Sequence, residues 1–449
     1  KYVDEKIFDN SRLTNASPEK IRSELETLLH EGEKKFNISL LNFASIESIS
    51  DSILHSIIQE TNYFSLLKSN PESIIKQIFR VFDNIGATRK VGGLTVPESI
   101  TLFMYKFLVN GATATNIKER KLLLTHVGNG KTVFDVLQHI SDEFEIISED
   151  LREFSNSNIT ILERMHENTQ ILKFLLLLKN FEKVKISNLE PMQFSNDLQF
   201  GGIMGFPPIG SRLESKEINS DIDLGNDYIS NYIIKMLKNV KPSGYFTLIV
   251  SGSYLFSERA KKSREMLLKN NILRGIIQFP SGIFLETMIP PFVLFLQKTP
   301  ENKTQIKNYN VFMSDLSKQQ FISKYKLSPK ILYYVWEKFI ELQTINKILE
   351  EDDTCFSIKI EELNEFENWT PTIHTPSARK IKGVKGELLT KYVEIISYRR
   401  NLEINLEKDS EKLIEIPEIR ISDIIKEGII NDDMEKIIQA YGLLTGEKI

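Results

Sequence analysis

Apolar residues recur at helical spacing through roughly the first ninety positions, then give way to short apolar runs that alternate with amphipathic stretches. Ser17-Pro18-Glu19 offers a capping residue, a proline suited to the first helical position and an early acid. Ile21, Leu25, Leu28 and Leu29 then share one face. The same spacing predicts helices over 46–58 and over 73–85, the latter with Ile74, Ile75, Ile78 and Phe82 on one side. Nothing in residues 1–90 carries chemistry, and the pattern reads as a helical domain that packs on a larger domain or on a partner.

From about 91 to 350 the pattern predicts an α/β domain. Strands are expected at Thr132–Asp135, Ile159–Leu162, Phe200–Met204, Tyr245–Val250, Gly275–Phe279 and Phe292–Gln297. Helices are expected over Glu167–Lys179, Asp227–Leu237, Ser257–Asn270 and Lys330–Leu349. Strands alternating with helices of this length argue for a mostly parallel sheet covered on both faces. The last two strands are joined by a loop without a helix, which predicts an antiparallel pair. Residues 351–449 read as a linker and a small module, with strand character at 387–401 and at Ile419-Arg-Ile-Ser-Asp-Ile-Ile425.

Composition narrows the class. A chain of 449 residues favours two or three domains, and a hydrophobic share of 41% with 26% charged residues excludes disordered and fibrous classes. The 57 basic and 61 acidic residues leave a net charge of −4, which excludes a chain that is basic throughout but not a local basic groove. The lone Cys355 excludes a disulfide framework and points to a reducing, cytoplasmic compartment. No apolar run approaches the roughly 18–20 residues that cross a bilayer, so no membrane partner is expected. The chain opens on Lys1 rather than Met, so a start residue or tag is expected to be missing from it.

Two features invite chemistry and point elsewhere. Gly128-Asn-Gly-Lys-Thr132 has the end of a phosphate loop, but the glycine required five positions before Gly130 is Thr125. With a strand expected next, it reads as a turn. The six histidines, at 30, 55, 126, 139, 166 and 374, show no metal-ligand spacing, and no metal is expected.

Several segments, taken in order, carry a resemblance. Gly92-Gly93-Leu-Thr95-Val-Pro97 precedes the α/β region, Val133-Phe-Asp135 stands as the first strand, and Leu162-Glu163 ends the second. Phe200-Gly-Gly-Ile-Met-Gly-Phe206-Pro207-Pro208-Ile209-Gly210 follows. Pro242–Val250, Gly275–Phe284 and Ile289–Leu296 complete the series. Over about 70–300 this order resembles the adenine-N6 DNA methyltransferases, in particular the modification subunits of type I restriction-modification systems. The resemblance implies a class I S-adenosylmethionine-dependent methyltransferase core (Rossmann-like), flanked by an N-terminal helical domain and a small C-terminal module. It implies a seven-strand sheet whose final strand is antiparallel.

It also implies site residues. In the family a turn Asp-Pro-x-x-Gly-x-Gly after the first strand holds the cofactor, and an acid after the second grips its ribose. A Gly-x-x-Thr-x-Pro loop closes over the methionine end. Those roles fall on Asp135, on Glu163, and on Gly93, Thr95 and Pro97. A polar residue before Pro-Pro-aromatic accepts hydrogen bonds from the amino group of a flipped adenine. Here that motif falls on Phe206, Pro207, Pro208 and Ile209, so the acceptor and the aromatic are both absent. With Asp135 heading the turn, its glycines are replaced by His139 and Ser141. Moving the turn to Gly128-Asn-Gly130 would put glycines ahead of the expected strand, at the wrong end of the sheet. Two losses in one chain imply an inactive scaffold; S-adenosylmethionine is the cofactor if the chain is active, and none if it is not.

A second resemblance covers Glu415–Ile430, which is similar to the start of a target-recognition domain of type I specificity subunits but stops short of a complete one. Arg379, Lys380, Lys382, Lys385, Lys391, Arg399 and Arg400 face only Glu387 and Glu394 in that stretch. Lys380, Lys382, Lys385, Arg399 and Arg400 are the candidate DNA contacts. Three readings stand open. The first is a silent, DNA-associated subunit of a restriction-modification or phage-defence system, with specificity or restriction subunits as partners. The others are an active adenine-N6 methyltransferase with divergent motifs, and a protein-binding module.

Overall fold

The structure, a computed structural model, describes residues 15–382 apart from 37–48, 62–70, 87–95, 214–223, 302–307 and a few isolated positions. Three helices come first: α1 (Pro18–Phe36), α2 (Asp51–Thr61) and α3 (Pro71–Gly86). Ile21 and Leu54 join α1 to α2, and Arg22 reaches the Asp51 carboxylate at 2.8 Å. Helix α3 turns the predicted apolar face inward. Ile75 and Phe79 cluster with Leu175, and the Phe79 ring lies 5.6 Å from that of Phe134.

After α4 (Glu98–Leu108) the chain builds a sheet of nine strands among the described residues. These are β1 (Leu122–Thr125), β2 (Ile159–Glu163), β3 (Lys185–Asn188), β4 (Phe200–Gly205), β5 (Val240–Ser251), β6 (Asn271–Gln278), β7 (Pro291–Lys298), β8 (Asn310–Asp315) and β9 (Cys355–Lys359). Their order is β3-β2-β1-β4-β5-β7-β6-β8-β9. Strands β1 to β5 run parallel, while β7 inserts antiparallel between β5 and β6, as the helix-free link predicts. The connecting helices are α5 (Lys131–Phe144), α6 (Ser148–Asn158), α7 (His166–Leu178), α8 (Tyr228–Lys238) and α9 (Glu258–Lys269). Each face is covered: Leu122 and Leu124 pack with Val133 and Val136 of α5, while Leu123 packs with Tyr232 and Ile233 of α8. Burial on both faces is why these strands read as unbroken apolar runs.

One early expectation is overturned. Thr132–Asp135 is not a strand; it begins α5, where Val133, Val136, Leu137 and Ile140 line the buried side. The first strand is Leu122–Thr125, and Gly128 and Gly130 follow it.

The sheet also extends past residue 350. Strand β8 pairs with β6 in parallel and β9 with β8 in antiparallel, with α10 (Pro329–Ile345) between them. Buried Arg264 ties the following segment down. Its guanidinium donates to the carbonyls of Tyr254 (2.7 Å), Ser257 (3.1 Å) and Glu367 (3.0 Å) and lies over Trp369. Helix α11 (Pro376–Lys382) ends the described chain. The strands expected at 387–401 and 419–425, and the resemblance at Glu415–Ile430, lie outside the described residues. Among the described residues no helix is long and apolar enough to cross a membrane.

Candidate functional site

The carboxyl ends of β1, β2, β3 and β4 meet along one edge of the sheet, the place where open α/β sheets hold ligands. After Thr125 the chain makes a tight turn. His126, Gly128 and Gly130 all adopt left-handed conformations, with φ of 54°, 56° and 88°. The turn delivers the chain into α5, and the space over Gly128 Cα is open to 4 Å. Glycine serves here because the backbone must both turn left-handed and present a bare surface.

Glu163, at the end of β2, is buried and points at this turn. One carboxylate oxygen accepts from Gly128 N–H and the other from Met165 N–H, each at 2.9 Å. Each oxygen keeps a further lone pair. Asn188, at the end of β3, donates to the carbonyls of Glu163 (3.1 Å) and Arg164 (2.8 Å), fixing the corner from the other side. A carboxylate with spare acceptors beside an open glycine backbone fits the ribose diol of a nucleoside. The residues present therefore fit the cofactor that the resemblance implies.

This geometry corrects the placement of the cofactor turn. Asp135, His139 and Ser141 do not form it. Asp135 lies in the second turn of α5, and the His139 ring stacks on Tyr105 at 5.4 Å. Gly128 and Gly130 supply the Gly-x-Gly and sit at the ligand-binding end, because the strand precedes them. Aligned so, the family's turn loses its acid to Leu124 and its proline to Thr125, but keeps both glycines. Of the loop residues, Pro97 caps α4; Gly93 and Thr95 lie outside the described residues.

Phe206 follows β4, where the family places its acceptor. Its N–H donates to the Thr125 carbonyl at 3.2 Å, which fastens it beside the turn. The ring is 8% exposed and belongs to the apolar cluster that includes Phe279 and Phe284. Pro207 is buried, Pro208 half-buried, and Ile209 packs against that cluster. No side-chain lone pair is offered at position 206.

A polar chain that the sequence did not suggest lies next to it. Tyr228 of α8 donates to Glu190, and His126 Nε2 lies 2.8 Å from the same Tyr228 oxygen. Arg164 stands 3.7 Å from Glu190. Burial works to raise the Glu190 carboxyl pKa, but hydrogen bonds from His126 and Tyr228, with the Arg164 charge, outweigh it and hold the group below the ordinary carboxylate range. Burial, reinforced by Glu190, pushes the Tyr228 hydroxyl far up, so it stays protonated. Tyr232, one helical turn on, meets Thr125 Oγ1 at 2.5 Å and fills the space over Gly205.

The DNA candidates are largely beyond view. Lys380 is exposed on α11, Lys382 ends that helix, and Lys385, Arg399 and Arg400 lie outside the described residues. Arg379 is engaged with Glu351 at 3.4 Å.

The strand order β3-β2-β1-β4-β5-β7-β6, the antiparallel β7, the glycine turn and the acid after β2 together define a class I methyltransferase fold. Residues 92–379, more than half of the chain, match the N-6 DNA Methylase family, and the chain belongs to it. The structure resembles the methyltransferase subunit of a type I restriction-modification system from Streptococcus thermophilus (15% identity, TM-score 0.61, 80% of this chain and 79% of that one). It also resembles a modification subunit of a putative type I restriction enzyme from Vibrio vulnificus YJ016 (16% identity, TM-score 0.55), over 70% of this chain and 65% of that one. Over 110 residues the sequence is 29% identical to the Defense against restriction protein B of Escherichia phage P1, which is 24% of this chain and 5% of the phage protein.

Proposed function

We propose that this chain is a methyltransferase-like, DNA-associated subunit of a restriction-modification or related phage–host system that holds S-adenosylmethionine yet does not transfer its methyl group to adenine. The observation that carries this reading is the contrast between two neighbouring positions. At the turn, Gly128, Gly130 and Glu163 keep what a nucleoside cofactor needs. At the base position, buried Phe206 offers no acceptor. An amino group brought there would lose its water without a side-chain partner, at a cost of about 1–3 kcal/mol. Its lone pair would also stay delocalised into the purine ring. The similarity to type I modification and methyltransferase subunits supports specificity or restriction subunits as partners. The resemblance of the phage protein, named for defence against restriction, supports the phage–host setting. DNA contact would fall to Lys380, Lys382, Lys385, Arg399 and Arg400, and would weaken steeply with salt.

Calorimetry and a methylation assay on the full chain test the reading. S-adenosylmethionine is expected to bind, while adenine-containing duplex acquires no methyl group. Methyl transfer by the wild-type chain would overturn the silent reading, and an absence of cofactor heat would overturn the cofactor reading.

A further inference from the structure

The polar chain beside the turn has one loose end. His126 is nine-tenths buried in its side chain (10% exposed), and its Nδ1 is buried with no hydrogen-bond partner. The other end is fully specified. Tyr228 has one hydroxyl proton, and it goes to Glu190, a carboxyl held ionised by its surroundings. The Tyr228 oxygen must then accept from His126 Nε2–H. In the neutral ring this leaves Nδ1 as a lone-pair acceptor. Packing fixes the ring as well, since Tyr228 and Tyr232 meet it edge-on at 5.7 and 5.3 Å. A buried acceptor oriented this firmly, and left without a donor, calls for a ligand group to complete it.

Its position says which part of a ligand. The acid after β2 marks the ribose, and what hangs on the ribose 5′ carbon passes over the first glycine turn toward β4. His126 opens that turn, and its neighbour Thr125 is tied to Phe206. The charge is suitable too. The turn has lost the family's acid to Leu124, and the Glu190 carboxylate stands behind His126 through Tyr228 instead. A cationic donor is the complement of that arrangement.

We propose that His126 Nδ1 accepts a hydrogen bond from the α-ammonium group of S-adenosylmethionine, with Tyr228 and Glu190 as positioning residues. The inference rests on the cofactor reading given above and assigns one residue's part in it.

The test compares two ligands on the full chain by calorimetry: S-adenosylmethionine, and 5′-methylthioadenosine, which has the same nucleoside and thioether but no amino acid. His126→Gly tolerates the left-handed backbone and removes the acceptor. It should weaken S-adenosylmethionine about ten-fold while leaving methylthioadenosine unchanged. His126→Asn also tolerates that backbone and returns an oxygen near the Nδ1 position, so it should restore most of the lost affinity. On the wild-type chain, which needs no variant to fold, the 15N resonance of His126 Nδ1 should move on adding S-adenosylmethionine and not on adding methylthioadenosine. Equal weakening of both ligands by His126→Gly, or an unmoved Nδ1 resonance on a chain that binds S-adenosylmethionine, would overturn the assignment. A wild-type chain that binds neither ligand would remove the cofactor reading itself, and this inference with it.

Discussion

Glu163→Gln tests the corner on which the cofactor reading depends. The carboxylate accepts two backbone N–H groups, from Gly128 and Met165, each at 2.9 Å, and it is 4% exposed. Bonds of this charged kind contribute about 1.5–3 kcal/mol each, against about 0.5–1.5 for neutral ones. Glutamine can keep one as a neutral bond. Its amide nitrogen must then face the other N–H, leaving donor against donor in a buried place. We expect a loss of about 2–4 kcal/mol in unfolding free energy, read from the shift of the urea midpoint at unchanged slope. Cofactor affinity should fall as well, by about ten-fold or more, because the ribose loses a charged acceptor. A variant within about 0.5 kcal/mol of wild type would show that the carboxylate does not hold the turn, and the argument for a preformed corner would fail with it.

Other outcomes follow from the same structure. Phe206→Asn combined with Ile209→Tyr returns an acceptor and an aromatic around Pro207-Pro208; N6-methyladenine should then appear in the DNA of a host lacking adenine methylation. A folded, cofactor-binding double variant that produces none would show that the acceptor is not what the chain lacks. Loss of the buried Phe206 ring should itself cost about 3–5 kcal/mol of stability, which a urea melt would show. Arg264→Met strands three carbonyls, at Tyr254, Ser257 and Glu367; limited proteolysis within 360–382 should accelerate, and an unchanged cleavage rate would refute the clamp. The Glu190 carboxyl is held low in the folded state, so its contribution is fully present above the ordinary carboxylate pKa and is lost as pH falls through the lower folded value. Glu190→Gln should flatten the acid limb of stability against pH, and an unaltered limb would remove Glu190 from the account.

Much of the sheet was legible because its strands are apolar runs bounded by turn residues. Phe200–Gly205, Val240–Ser251 and Pro291–Lys298 each contain the predicted segment. The first strand was not. Leu122-Leu-Leu-Thr125 is four residues long and buried throughout, and a run that short has no period to distinguish strand from helix. The β-branched Thr132 and Val133 then drew the assignment onto the next segment. The correcting signal was available, since Val133, Val136, Leu137 and Ile140 recur at helical spacing. Placing the strand one element late put Asp135 where the turn should be and discarded Gly128 and Gly130. Glu163 and Phe206 needed no such correction, because their strands were found where they stand. The chain His126–Tyr228–Glu190 left no trace in sequence spacing. It is drawn from the ends of β1 and β3 and the start of α8, and only the sheet order brings those together.

The place of β7 bears on how the protein can be made. It lies between β5 and β6 but is synthesised after both. Until residues 291–298 emerge, β5 carries an unpaired edge facing where Phe292–Leu296 will lie, and β6 has no neighbour, because its partners are β7 and β8. Nascent chains that end in this interval expose long apolar edges, the kind that templates aggregation. Synthesis therefore passes through a vulnerable window that closes only when a single antiparallel strand threads the gap. Rare codons or premature stops between residues 251 and 298 would fall at its most hazardous point.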